Sequence, residues 1–349
     1  MDHELSKLIV RKAWEGYDAS KVIRSIDDIS ANVSTNFVFR LTFEDDDIII
    51  AKLSNFGKYD YFKEDHRIIQ SLSNNLLYPY ENFLAKSLLK NNRVYIYRHR
   101  LTGTADAWVV FYNPTRIMER LPRRLEDNHI RKFAQQTAKF HKACSRASKV
   151  LPKSSKTMRT DINTLLEQLD KDESQFGTRS QVDQLRYHCD KYLKARTKYA
   201  ANTFETIPVF IDWNIGNFSV THKQELYSRW DYDWFRMSNR IMDFYFFSRV
   251  VSDVGDRTVF SYYITTLMEK RFIQFLEEYH KHNPLTVNEV YFMKEAYRFF
   301  ILNYVIKDGK HFFHEQYAVK LQQEAYDIYL PSVERDFDAE VILKALKLK

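Results

Sequence analysis

Apolar and polar positions follow two different periods along the chain. Phe37, Phe39, Leu41 and Phe43 alternate with Val38, Arg40 and Thr42, a period of two that predicts a strand. The acidic run Glu44 to Asp47 predicts a turn, and Ile48 to Leu53 a second, more buried strand, so the pair reads as a hairpin. Residues 59–73 read as a helix with Phe62, His66, Ile69 and Leu72 on one face, and strands are expected at about 83–89 and 93–99. From residue 129 the spacing turns helical, with Phe133, Thr137, Phe140 and Cys144 on one stripe. Further helices are expected over 160–173, 180–201, 258–280, 287–306 and 316–328. Val290, Met293, Tyr297, Phe300, Ile301 and Tyr304 form a stripe that reads as core. One β island interrupts this half. It has a strand at 207–211, a loop at 212–217, and strands at 218–221 and 226–230 joined by His222-Lys223-Gln224-Glu225.

The expected class is therefore α+β, in two lobes. Residues 1–100 form a small lobe with a five-stranded antiparallel sheet and one helix. Residues 101–349 form a larger, mainly helical lobe that carries a β hairpin. A cleft between two such lobes is a natural ligand site.

Composition narrows the picture. At 349 residues with 44% hydrophobic, 28% charged and 15% aromatic content, the chain is globular. Its longest clean apolar stretch, near Ala107 to Tyr112, is far short of the roughly 18 residues a membrane helix needs. Met1 to Leu5 lacks a basic region followed by an apolar one, so no secretory signal is expected, and the cytoplasm is the expected compartment. With only Cys144 and Cys189, a disulfide framework is excluded. Net charge is 53 minus 46, or +7, with a denser basic region at Arg116, Arg120, Arg123, Arg124, Arg131 and Lys132. That region reads as a solvated face. No nucleic-acid recognition motif accompanies it, and neither a nucleic-acid nor a membrane partner is expected. A mild cation excess suits an anionic ligand such as a nucleotide.

Four polar positions fall at strand ends or loops. Lys52 ends the buried strand Ile48-Ile49-Ile50-Ala51-Lys52, Asp212 and Asn217 bracket a short loop, and Asp231 ends the second hairpin strand, nineteen residues after Asp212. Phosphoryl transfer from a nucleotide uses these parts: a strand lysine on the phosphates, an acid that orients the attacking hydroxyl, and an amide oxygen plus a carboxylate on magnesium. Singly, each has a bland reading as snorkelling lysine, turn residue or solvated acid; together and in order they point to one cleft. His311 and His314 have a spacing found in metal sites, but no third ligand is evident.

Val209-Phe210-Ile211-Asp212-Trp213-Asn214-Ile215-Gly216-Asn217-Phe218 resembles the catalytic loop of the aminoglycoside phosphotransferase and choline kinase group of small-molecule kinases. Arg229-Trp230-Asp231-Tyr232 resembles that group's Ile-Asp-Trp/Phe segment, and Asp243 lies twelve residues further on, where the group has an acid that opens a helix. Leu101-Thr102-Gly103 resembles its Leu-Pro-Gly after the hinge strand, and Ala138-Lys139-Phe140-His141 its Leu-His helix. The resemblance implies a protein kinase-like bilobal fold and a magnesium- and ATP- or GTP-dependent transfer to a small-molecule hydroxyl. It implies Asp212 as base, Asn217 and Asp231 as magnesium ligands, and Lys52 on the α- and β-phosphates. Glu64 would pair with Lys52, and Asp243 would brace the loop.

The chain departs from the group at several places. Phe210 and Asn214 stand where the group has histidines, and Arg240 where it often has an acid. The expected phosphate loop, Ser30 to Asn36, has no glycine, so Ser34, Thr35 and Asn36 are expected to offer side-chain donors. The retained acids favour an active kinase. The missing histidine and glycines favour a catalytically silent relative that binds nucleotide or a partner. The acceptor is not legible, although a net basic chain without a clear acidic cluster in its last third argues against a polycation.

Overall fold

The computed structural model describes residues 2–31, 34–100, 106–254 and 261–349. The small lobe opens with helix α1 (His3–Tyr17), followed by strands β1 (Ile23–Asp28), β2 (Phe37–Phe43) and β3 (Ile48–Ser54) and helix α2 (Tyr59–Asn75). The ribbon β4 (Leu89–Lys90) and β5 (Arg93–Val94) precedes β6 (Ile96–His99) and β7 (Ala107–Tyr112). Five strands pair antiparallel in the order β1-β2-β3-β7-β6.

The mixed α+β class and the five-stranded sheet are as the sequence predicts, but three details differ. A second helix is present: Ser6, Ile9, Val10, Ala13 and Trp14 of α1 form a stripe at helical spacing that buries against one sheet face. The sheet does not end at residue 100. It continues through β7, whose six residues are all buried because the strand lies between β3 and β6. Such an uninterrupted apolar run carries no alternation to mark it as a strand. Finally, 83–88 is no regular strand but a bridging segment, with Leu84 against Arg229 and Ser87 against Tyr112.

The two sheet faces separate by the strand period of two. Ala51 and Leu53 face the α1 side with Phe39, Leu41, Val109 and Phe111. Ile50 and Lys52 therefore face the other lobe. Lys52 sits centrally, between Val38 on β2 and Val110 on β7.

The larger lobe holds α3 (Asp127–Ser148), α4 (Met158–Lys171) and α5 (Arg179–Lys198), then β8 (Ile207–Val209), β9 (Phe218–Val220), β10 (Leu226–Arg229) and β11 (Arg236–Ser238). Helices α6 (Phe244–Val251), α7 (Lys270–His282) and α8 (Val287–Phe300) follow, and then α9 (Gly309–Phe312), α10 (Glu315–Glu324), α11 (Leu330–Arg335) and α12 (Ala339–Leu346). The helix expected over 258–280 starts only at Lys270, after a 3₁₀ turn at Ile264–Met268. Those expected over 287–306 and 316–328 both end in π-helical stretches, Ile301–Lys307 and Ala325–Tyr329. β9 and β10 make the expected hairpin, and β11 adds a short ladder to β8. Among the described residues no helix is long and apolar enough to cross a membrane.

His66 ties α2 to the end of β7. Its Nδ1–H donates to the Phe62 carbonyl at 2.8 Å, and its Nε2 accepts from the Tyr112 hydroxyl at 2.6 Å. Burial, helped by the Lys52 charge, lowers its pKa from 6.5 to about 4. A folded value below the unfolded one means that this stabilisation is full above pH 6.5 and is lost as pH falls through 4. Urea unfolding of the wild type should lose about 2 kcal/mol more between pH 7 and pH 4.5 than unfolding of His66→Gln. Parallel loss in both proteins would remove His66 as the cause.

Candidate active site

β8 leads into a tight turn that carries Asp212. Ile211 takes a φ of +61°, a left-handed conformation that is rare for a β-branched residue. The Asp212 N–H donates to the Phe210 carbonyl at 2.7 Å and the Trp213 N–H to the Ile211 carbonyl at 2.9 Å, so two three-residue turns follow each other. Strain of this kind persists only where surrounding structure over-determines it. Here Asp243, fully buried at the start of α6, accepts from the Phe210 N–H at 3.0 Å and the Ile211 N–H at 2.6 Å with one carboxylate oxygen. Its other oxygen meets His141 Nε2 at 2.9 Å, and His141 Nδ1 meets the Tyr279 hydroxyl at 2.7 Å.

Beyond the turn, the Asn217 amide donates to the Asp212 carboxylate at 2.9 Å. The β9–β10 register pairs Phe218 with Arg229, and the Trp230 N–H donates to the Asn217 carbonyl at 3.0 Å. The hairpin thus returns Asp231 to the neighbourhood of Asn217. Asp231 also has a left-handed backbone, φ +64°.

Lys52 is 6% exposed and reaches across the lobes to Asp231 at 2.8 Å and Asp233 at 2.6 Å. Burial opposes its charge, but the two carboxylates outweigh burial and hold the ammonium above the ordinary lysine range. The surrounding protein also opposes ionisation of Asp231, yet Lys52 holds that carboxyl below its ordinary value. Asp233 moves the other way, raised by burial and by the Asp231 charge against the pull of Lys52. Asp233 also accepts from the Asn36 amide at 2.8 Å, and Asn36 in turn accepts from Ser54 at 2.9 Å.

Lys52, Asn217 and Asp231 line one cleft of about 490 Å³, together with Ser34, Asn36 and Asp233. Apolar side chains of Ile29, Val38, Ile50 and Ala85 form one part of its wall, and Tyr112 to Thr115 cross between the lobes at another. Asp212 joins the cluster through its bond to Asn217. The arrangement combines an apolar wall, a fixed cation, acids and an amide in one cleft.

Other expected positions fall elsewhere. Glu64 does not pair with Lys52: its carboxylate accepts from Ser154 Oγ at 2.8 Å and the Ser155 N–H at 2.7 Å, in the α3–α4 connection. The neighbouring Asp65 pairs with Lys156 at 2.5 Å, so both of these α2 acids are held by that connection. Thr35 turns away from the cleft, its hydroxyl donating to the His311 carbonyl and its N–H to the Phe312 carbonyl at 3.4 Å. Leu101-Thr102-Gly103, and Asn32 and Val33 of the expected phosphate loop, lie outside the described residues. Arg240 forks onto Glu289 at 2.7 and 2.8 Å, a structural pair at the start of α8. Among the described residues no three carboxylate, imidazole or thiolate groups gather closely enough to hold a metal by themselves, and His311 stacks on Phe56.

No family model matches this chain, and no curated protein matches it in sequence. Solved structures do match in shape. Amicoumacin kinase, in complex with AMP-PNP, Ca²⁺ and Ami, superposes with a TM-score of 0.63 over 98% of this chain and 100% of its own, at 13% identity. The wild-type aminoglycoside 2'-phosphotransferase-IIIa GDP complex gives 0.55 over 92% and 98%, at 13% identity. This chain has the protein kinase-like fold. The choline kinase of Streptococcus pneumoniae shares that fold with a TM-score of 0.51, over 92% of this chain and 97% of its own, at 13% identity. Three further features of the cleft region were not among the expected site residues: Asp233, two residues after Asp231; the Tyr112–Thr115 crossing, at the end of an apolar run; and Arg229, which opens the Arg229-Trp230-Asp231-Tyr232 segment without being given a role.

The Asp243 network sets a stability prediction. Asp243→Ala leaves two backbone N–H groups and His141 without their partner in a buried place, at about 1–3 kcal/mol each. A loss of at least about 3 kcal/mol in urea unfolding is expected, whereas Asp183→Ala, which breaks an exposed pair with Arg179, should cost under about 1 kcal/mol. Equal effects of the two variants would contradict the brace.

Proposed function

We propose that the protein is a magnesium-dependent phosphotransferase that moves the γ-phosphoryl group of ATP or GTP to a hydroxyl of a small molecule. The observation that carries this reading is the convergence of Lys52, Asn217 and Asp231 on one interlobe cleft, with Asp212 bonded to Asn217. The base would enter the cleft beside Tyr112–Thr115, and Lys52 would meet the α- and β-phosphates. Ser34 and Asn36 remain the small-lobe donors nearest that path.

Asn217 and Asp231 supply an amide oxygen and a carboxylate, hard ligands of the kind magnesium takes alongside water and phosphate oxygens. The bound ion would neutralise charge on the phosphates. Asp212 aligns the acceptor hydroxyl with the γ-phosphorus. The new oxygen–phosphorus bond forms as the bond to the β–γ bridging oxygen breaks, and the nucleoside diphosphate leaves. The hydroxyl proton passes late to Asp212, because transfer of this kind is mostly positioning and charge stabilisation. Lys52 exchanges its carboxylate partners for phosphate oxygens as nucleotide enters. The acceptor itself is left as a hydroxylated small molecule.

Two variants separate the roles. Asp212→Asn should keep magnesium–nucleotide affinity within about twofold and lower turnover about a hundredfold or more, the usual scale for acid–base assistance. Asp231→Ala should weaken magnesium–nucleotide binding at least tenfold, because it removes a charged metal ligand. Calorimetric titration with magnesium–ATP and magnesium–GTP, and a coupled assay over a panel of hydroxylated metabolites, read both. Tight nucleotide binding without turnover on any acceptor would favour the catalytically silent reading. No binding at millimolar nucleotide would end the phosphotransfer reading and leave the silent relative that binds a partner.

A further inference from the structure

Arg229, the last residue of β10, is fully buried, which is unusual for an arginine. Its Nη2 donates to the carbonyl oxygen of Asp212 at 2.7 Å. Its guanidinium carbon lies 4.6 Å from the Phe210 ring centre and 4.4 Å from that of Trp213, two rings set at 85° to each other. Among the described residues, Nε and Nη1 have no hydrogen-bond partner. The backbone around it is equally fixed: the Arg229 N–H donates to the Phe83 carbonyl at 2.6 Å, and its carbonyl accepts from the Ala85 N–H at 2.9 Å.

Burying a guanidinium with two nitrogens unpaired is costly, and an apolar side chain of similar volume would avoid the cost. Two aromatic faces offset part of it. The remainder calls for work that only a buried cation can do. The acids whose charge acts on Arg229 are Asp212, Asp243 and Asp231 in that order, and they are the acids of the site. Its one hydrogen bond falls on the residue that ends the strained turn, on the side opposite the Asp243 grip. Asp243 holds the N–H groups before Asp212, and Arg229 holds the carbonyl after them.

We infer that Arg229 is a positioning residue: a buried cation, clamped between Phe210 and Trp213, that pins the Asp212 carbonyl and offsets the mutual repulsion of the site's acids. Its effect on turnover rests on Asp212 acting as proposed above; its effect on the loop does not.

Arg229→Gln keeps a donor and removes the charge, Arg229→Lys keeps the charge without the planar fork, and Arg229→Met keeps the volume alone. Hydrogen exchange of residues 210–217 and steady-state kinetics with magnesium–ATP test the full-length variants. Gln and Met variants should exchange the 210–217 amides at least tenfold faster than wild type, with α3 and α7 unchanged. Their kcat should fall at least tenfold, with KM for magnesium–ATP within threefold. The Lys variant should lie between them and wild type in both readouts. If the Met variant does not fold, the Gln and Lys pair still isolates the charge. Unchanged 210–217 exchange in a folded Gln variant would overturn the brace. A wild type without turnover would defeat the phosphotransfer reading and leave the exchange result to decide the brace alone.

Discussion

The site depends on a single turn. Ile211, β-branched and left-handed, precedes Asp212, whose carboxylate meets the Asn217 amide beside the cleft, and its N–H and that of Phe210 point at one acceptor. A turn of this kind relaxes unless something holds it. The holding group is the Asp243 carboxylate, which takes both N–H groups with one oxygen and His141 with the other. Four regular elements meet there: α3 carries His141, α6 begins after Asp243, α7 carries Tyr279, and β8 leads into the turn. The large aromatic core around them makes that geometry expensive to deform.

A second feature follows from the charges. Lys52 is the cation facing Asp231 and Asp233 from the sheet, and it is neutralised by them across the lobes. Asn36 joins the same cluster through Asp233, while Thr35 and Phe56 of the small lobe rest on the segment around His311 and Phe312. The lobes are therefore latched to each other through Lys52 and these acids. On the proposed function, incoming phosphates would bring the negative charge that replaces the carboxylates at Lys52, and a divalent cation would take the place of Lys52 at the carboxylates, so that nucleotide and metal together would restore the neutrality that each alone would upset.

Much of this was legible in the chain because its signals are local. The β2–β3 alternation, the Asp212–Asn217 spacing and the hairpin before Asp231 each fix a backbone path over a few residues. The β7 strand was not, since burial on both faces erased its alternation, although it carries the five-stranded sheet on to Tyr112. The α1 stripe of Ser6, Ile9, Val10, Ala13 and Trp14 was present in the sequence at ordinary helical spacing, and it could have been read. Partner choice was the harder matter. Nothing in the spacing of Glu64 says that Ser154 and Ser155 will take its carboxylate, and nothing near Arg229 says that two rings from the 210–217 loop will enclose it. Those are meetings between distant segments, set by packing.

The central claim is that a pre-strained turn and a returning hairpin hold a ready-made magnesium–nucleotide site. A crystal structure of the protein with AMP-PNP and magnesium tests it most directly. The account predicts one metal shared by Asn217, Asp231 and the phosphates, Lys52 moved from Asp231 to a phosphate oxygen, and Ile211 still left-handed with both Asp243 bonds intact. A nucleotide bound outside the interlobe cleft, or a 210–217 loop that reorders to admit it, would contradict the account.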